Sequence, residues 1–135
     1  FIKHNKAMFG EQLAAKRLGI EMIPYGRGFT WNSKDLSEDE ALARNGWEMC
    51  KEKIHSNEYD VVIMDEITYP IKYGWIEIDE VVKNLEKRPK TVNIIITGRD
   101  AHDDLIKISD CVTRMEEIKH PYTDQGILAQ KGIDY

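Results

Sequence analysis

The sequence predicts an α/β domain of three layers, with helices flanking a mostly parallel sheet, and three observations carry that expectation. Residues 60–64, DVVIM, and 92–97, VNIIIT, are continuous apolar runs rather than alternating ones, as suits strands covered on both faces. Segments of helical period separate the runs, so strand and helix alternate along the chain. Polar clusters (DE after VVIM, TGRD after VNIII, GRGFTW after IEMIPY) fall where each strand would end, which is where ligands sit in such sheets.

Taken in order, FIK at residues 1–3 fits the tail of a strand, and GEQLAAKRLG at 10–19 reads as a short helix stopped by Gly19. IEMIPY, 20–25, is expected to be a strand closed by the GRG turn. SEDEALARNGWEMCKEKI, 37–54, is a helix in which Ser37 and Glu40 make a capping box. Its apolar stripe is Leu42, Gly46, Met49, Cys50 and Ile54. After the DVVIM strand, IEIDEVVKNLEKRP (76–89) carries Val81, Val82 and Leu85 on one helical face and ends at Pro89. VNIIIT is the second buried strand. AHDDLIKIS (101–109) is a short helix with Ala101, Leu105 and Ile108 on one side, and CVTRMEEI (111–118) a partly alternating strand. The tail from His120 has no clear period. No repeat or low-complexity linker divides the chain, so residues 1–135 read as one domain.

Composition narrows the classes of function. With 41% hydrophobic and 32% charged residues, the chain suits a globular core with a solvated surface. A net charge of −5 and only short mixed-sign runs argue against a nucleic-acid partner. Two isolated cysteines, Cys50 and Cys111, with no Cys-x-x-Cys fit a reducing cytoplasm. No apolar run is long enough to span a bilayer, and none forms a secretory signal. The four histidines lack metal-ligand spacing, and neither cysteine has an adjacent histidine to activate it.

Each polar cluster has two readings. Asp65 and Glu66, closing a hydrophobic strand, can hold Mg²⁺ directly or through water, since hard cations take carboxylate oxygens; alternatively they cap the next turn. Arg99 in TGRD can present a guanidinium to a phosphate, or pair with Asp100 or Asp103. In GRGFTW, Gly26 and Gly28 give a close-approach backbone. Phe29 and Trp31, two apart across Thr30, point the same way in an extended segment: they make a wall for a flat ligand or fill the core.

In order along the chain, GRGFTW, YDVVIMDEITYPIKYGWIEIDEVVKNLEKRP, NIIITGRDAHDDLIKISDCVTRMEEIKHPY and GILAQKGIDY resemble the ATP:corrinoid adenosyltransferases of the BtuR/CobO type, from Phe1 to Tyr135. The resemblance implies a P-loop NTPase-like fold of the RecA type, a homodimer, and transfer of the 5′-deoxyadenosyl group of ATP to the cobalt of a reduced corrinoid with release of triphosphate. It implies that a strand, a phosphate loop and a helix precede the segment matching FIK, so that this N-terminal unit is absent from residues 1–135 and the fragment alone should bind ATP poorly. By the same resemblance Glu66, with Asp65 beside it, is the metal-associated carboxylate. Phe29 and Trp31, with Gly28 and Thr30, line the corrinoid and help exclude the lower axial ligand of cobalt. Arg99 contacts phosphate or nucleotide, and a flavodoxin-like protein is the expected reductant. Leu128 stands where relatives often carry lysine. Two rival functions use the same residues: a non-catalytic corrinoid-binding or regulatory module, and a generic nucleotide hydrolase.

Overall fold

The computed structural model describes residues 10–25 and 36–130. The chain falls into two compact units, Phe1–Asn5 with Pro24–Asp110, and Lys6–Ile23 with Cys111–Tyr135.

The larger unit holds the sheet. Helix α2 (Leu36–His55) opens with Glu38 and Asp39 and has Lys53 in its last turn, charges that complement the dipole at each end. It begins before Ser37, so that residue lies inside the helix rather than at its cap. Its inward stripe is Ala43, Trp47 and Ile54, joined by Gly46; Leu42, Met49 and Cys50 are half-buried on its flanks. Trp47 is the largest fully buried side chain of the described residues. Its indole Nε1 donates to Glu80 Oε1 at 2.8 Å, and Lys51 Nζ donates to the same oxygen at 2.7 Å.

Strand β1 (Val61–Met64) pairs in parallel with β2 (Asn93–Ile96), Val61 opposite Asn93 and Met64 opposite Ile96. Two helices make the crossover that a parallel pair requires. The first, α3 (Thr68–Lys72), was not expected from the sequence. Pro70 is tolerated in its first turn, where backbone N–H groups have no intrahelical acceptor. Gly74, at φ +72°, ends it, with the N–H groups of Gly74 and Trp75 bonded back to Ile71 and Pro70. The second, α4 (Ile78–Glu86), buries Val81 and Leu85 as expected and stops before Pro89. After β2, α5 (Asp103–Ile108) begins at a His102 cap whose Nδ1 accepts from the Asp104 N–H at 3.2 Å; Ala101 therefore lies outside the helix, and Leu105 is its buried residue.

Val62 and Met64 join Ala43, Trp47, Ile54, Ile67, Ile71, Ile76, Val81, Leu85, Val92 and Leu105 in one core, with Ile94 and Ile96 packed against it. The opposite face of the sheet carries Val61, Ile63 and Ile95, which are 46%, 61% and 47% exposed. The apolar runs thus form parallel strands as expected, but among the described residues only one face is covered. Helices α2 and α4 supply the apolar surface for that face alone.

In the second unit, α1 (Gly10–Leu18) ends at Gly19 as expected. A five-residue helix, α6 (Pro121–Gln125), starts at a His120 cap and stops at Gly126. Residues 20–23, the adjoining 24–25 of the larger unit, and 111–118 are not strands. Ile20, Met22 and Ile23 are 41% exposed or more, and Met115 is 93% exposed. An apolar run becomes a strand only when a neighbour takes up its backbone N–H and C=O groups, and among the described residues no such ladder reaches either segment. The strand expected at residues 1–3 lies outside the described residues.

Candidate functional site

Two strand ends meet at one rim. The chain leaves β1 through Asp65 and Glu66, and leaves β2 through Thr97, Gly98, Arg99 and Asp100. Because β1 and β2 are adjacent and parallel, with Met64 opposite Ile96, these two segments emerge side by side.

Thr97 joins them. Its hydroxyl donates to Asp65 Oδ1 at 2.6 Å and accepts from the Glu66 N–H at 3.0 Å. The donor bond is charge-assisted. Glu66 sits at φ +62°, a left-handed conformation uncommon for a residue with a side chain. Its Oε2 is buried with no hydrogen-bond partner among the described residues, and so is the Oγ1 of Thr68 two residues on. Buried polar oxygens left unmatched are uncommon, and a ligand at this strand end would complete them. Beside them Gly98 adopts φ +138°, with its Cα so close to Thr68 that an added Cβ would lie 1.9 Å from Oγ1.

Arg99 is exposed, and among the described residues it forms neither ion pair nor hydrogen bond. The pairing that the sequence offered it with Asp100 is taken by Lys72, whose Nζ lies 2.6 Å from Asp100 Oδ2. That hydrogen bond raises the Lys72 ammonium and lowers the Asp100 carboxyl relative to their ordinary values. Asp103 forms no ion pair with Arg99 either. The guanidinium is thus available at the rim, on a loop tied back to α3.

Of the residues singled out in the sequence, Asp65, Glu66 and Arg99 therefore come together at one end of the sheet. Gly28, Phe29, Thr30 and Trp31 lie outside the described residues. Thr97 and Thr68 were missed: both act across the fold rather than within a motif, and the only sequence signal was their position immediately around the two acidic and glycine-rich strand ends. Among the described residues no three His, Cys, Asp or Glu side chains converge as a complete metal cage. Cys50 is no candidate nucleophile, because burial pushes its thiol up to about 11. No described helix is long and apolar enough to cross a membrane.

Comparison with known proteins places the chain among relatives. The corrinoid adenosyltransferase of a Sinorhizobium species is 39% identical over 138 residues, which cover 100% of this chain and 64% of that protein. The corrinoid adenosyltransferase of Escherichia coli (strain K12) is 36% identical over 126 residues, 93% of this chain and 64% of its own length. Corrinoid adenosyltransferase CobA of Salmonella typhimurium (strain LT2) is 34% identical over the same shares. The chain thus spans slightly under two thirds of these relatives. The sequence model of one family, ATP:corrinoid adenosyltransferase BtuR/CobO/CobP, matches residues 1–135, and the chain belongs to that family.

Proposed function

We propose that the protein containing this chain transfers the 5′-deoxyadenosyl group of ATP to the cobalt of a reduced corrinoid, with Asp65 and Glu66 serving the nucleotide's cation. The observation that carries this reading is the buried, unmatched Glu66 oxygen at the end of β1, in a chain matched by the family model along its whole length. In this reaction the electron pair of Co(I) forms the bond to C5′ of the ribose. The C5′–O5′ bond breaks, and triphosphate leaves with its electrons. No protein side chain has to attack, so the chain contributes position and charge.

Mg²⁺ suits the donors present. It takes oxygen ligands, keeps several waters, and is commonly held by one or two carboxylates together with substrate phosphates. Glu66 and Asp65 are such carboxylates, and their incomplete set leaves room for phosphate and water. Bound there, Mg²⁺ would neutralise charge on the triphosphate leaving group. Arg99, unpaired among the described residues, supplies a second cationic contact for phosphate. Gly28, Phe29, Thr30 and Trp31 form the corrinoid wall in this proposal. Denying cobalt its lower axial ligand makes Co(II) easier to reduce.

The same reading takes residues 1–135 as part of one three-layer RecA-type domain, acting as a cytoplasmic homodimer with a flavodoxin-like electron donor. No feature of the described residues favours a non-catalytic corrinoid-binding module. The test is an assay of the full-length protein with MgATP and reduced cobalamin, following the light-sensitive absorbance of adenosylcobalamin and the phosphate product. Adenosylcobalamin and triphosphate are expected, and the Phe29→Ala/Trp31→Ala double variant should nearly abolish turnover that starts from Co(II). Release of orthophosphate without adenosylation would overturn the proposal.

A further inference from the structure

The acidic turn after β1 has a costly backbone conformation and is hydrogen-bonded to the residue that follows the neighbouring strand. A side-chain-bearing residue in a sparsely populated backbone region costs on the order of 1–3 kcal/mol, and persists where its surroundings fix it. Glu66, at φ +62°, is such a residue. The group bonded to this turn is the Thr97 hydroxyl, which accepts from the Glu66 N–H at 3.0 Å and donates to Asp65 Oδ1 at 2.6 Å. Both of its hydrogen-bonding roles are thereby spent on the two carboxylate residues. The Glu66 side chain is left with Oε2 buried and unmatched among the described residues.

From this geometry we propose that Thr97 is a positioning residue: it sets the backbone of the Asp65–Glu66 turn so that the Glu66 carboxylate is presented to a divalent cation. The inference rests on the reading of Asp65 and Glu66 as the cation's ligands. Thr97 itself does not touch the ion. It acts as outer partners of metal ligands generally do, by orienting a ligand, and loss of such partners costs about 10–100-fold in affinity.

The experiment uses the full-length protein and Mn²⁺ as a paramagnetic substitute, titrated with and without ATP and read by electron paramagnetic resonance. Thr97→Val keeps the branched shape and removes both hydrogen bonds, and should weaken Mn²⁺ binding about 10–100-fold. Thr97→Ser keeps the hydroxyl and should restore affinity close to that of the parent, a rescue that a purely space-filling role would not give. Should the valine variant fail to fold, Thr97→Cys, a poor hydrogen-bonding group of similar size, carries the same expectation of weakened binding. Glu66→Gln separates the two levels of the argument. If Glu66→Gln loses Mn²⁺ while the folded valine or cysteine variant binds like the parent, the role of Thr97 is overturned and the cation site stands. If Glu66→Gln binds Mn²⁺ like the parent, the cation site is overturned and the role of Thr97 with it.

Discussion

Gly98→Ala tests the packing of the rim most directly. At φ +138° the backbone of residue 98 occupies a region open almost only to glycine. Placing alanine there costs about 1–3 kcal/mol in backbone strain alone. The new Cβ would also stand 1.9 Å from Thr68 Oγ1, 2.9 Å from its Cβ and 3.1 Å from its Cγ2. Thr68 is 3% exposed and begins α3 between the core residues Ile67 and Ile71, so it has little room to yield. Overpacking of this kind adds about 1–3 kcal/mol. The two terms together give a loss of about 2–6 kcal/mol, a large part of the stability of an ordinary domain. Urea unfolding of parent and variant, with unchanged slope, reads that difference as a shift in midpoint. The Gly98→Ala/Thr68→Ala double variant apportions it. Removing Oγ1 and Cγ2 relieves the closest overlap but leaves the 2.9 Å contact and the backbone strain, so the double variant should recover part of the loss and no more. A Gly98→Ala protein within about 0.5 kcal/mol of the parent, the range of ordinary surface changes, would refute the close approach of the two segments.

Two further outcomes follow from the larger unit. Hydrogen bonds from Lys51 and Trp47 hold the Glu80 carboxyl below the usual glutamate range. That stabilisation is present above the ordinary carboxyl pKa of about 4.3 and is lost as pH falls through the lower folded value, so acid unfolding curves of parent and Glu80→Gln should converge at low pH. At neutral pH, Glu80→Ala strands the indole N–H of the buried Trp47 and should cost about 1–3 kcal/mol in a denaturant melt. The thiols should separate kinetically with a disulfide reagent: exposed Cys111 reacts at once, whereas half-buried Cys50, with its pKa pushed up to about 11, reacts far more slowly.

What could be read beforehand was what depends on local periodicity. The spacing of Val81 and Leu85, the long stripe through Ile54, and the unbroken VVIM and NIII runs each name their element without reference to the rest of the chain. The strand-end positions of Asp65, Glu66 and Arg99 were legible for the same reason, because a strand end is a local feature. Contacts between distant residues were not. Trp47 was not in the expected stripe, yet it is buried in the core and its indole N–H bonds Glu80 from across the fold. TGRD drew attention to its arginine, whereas the hydroxyl of Thr97 holds the acidic turn. Residues 20–25 and 111–118 misled because an apolar run announces only its own preference. Whether it becomes a strand is decided by a neighbour, and hydropathy does not name neighbours.

The bond between Thr97 and Asp65 spans 32 positions of sequence. Neither residue meets the other until β1, both crossover helices and β2 have taken their places, since a parallel pair cannot close through a tight turn. Such non-local closure comes late in folding, after the loop entropy has been overcome. A chain still emerging from the ribosome, with Asp65 and Glu66 already synthesised, therefore holds the carboxylates but not their geometry. On the proposed reading of these carboxylates as cation ligands, their geometry would be complete only once the second strand has docked.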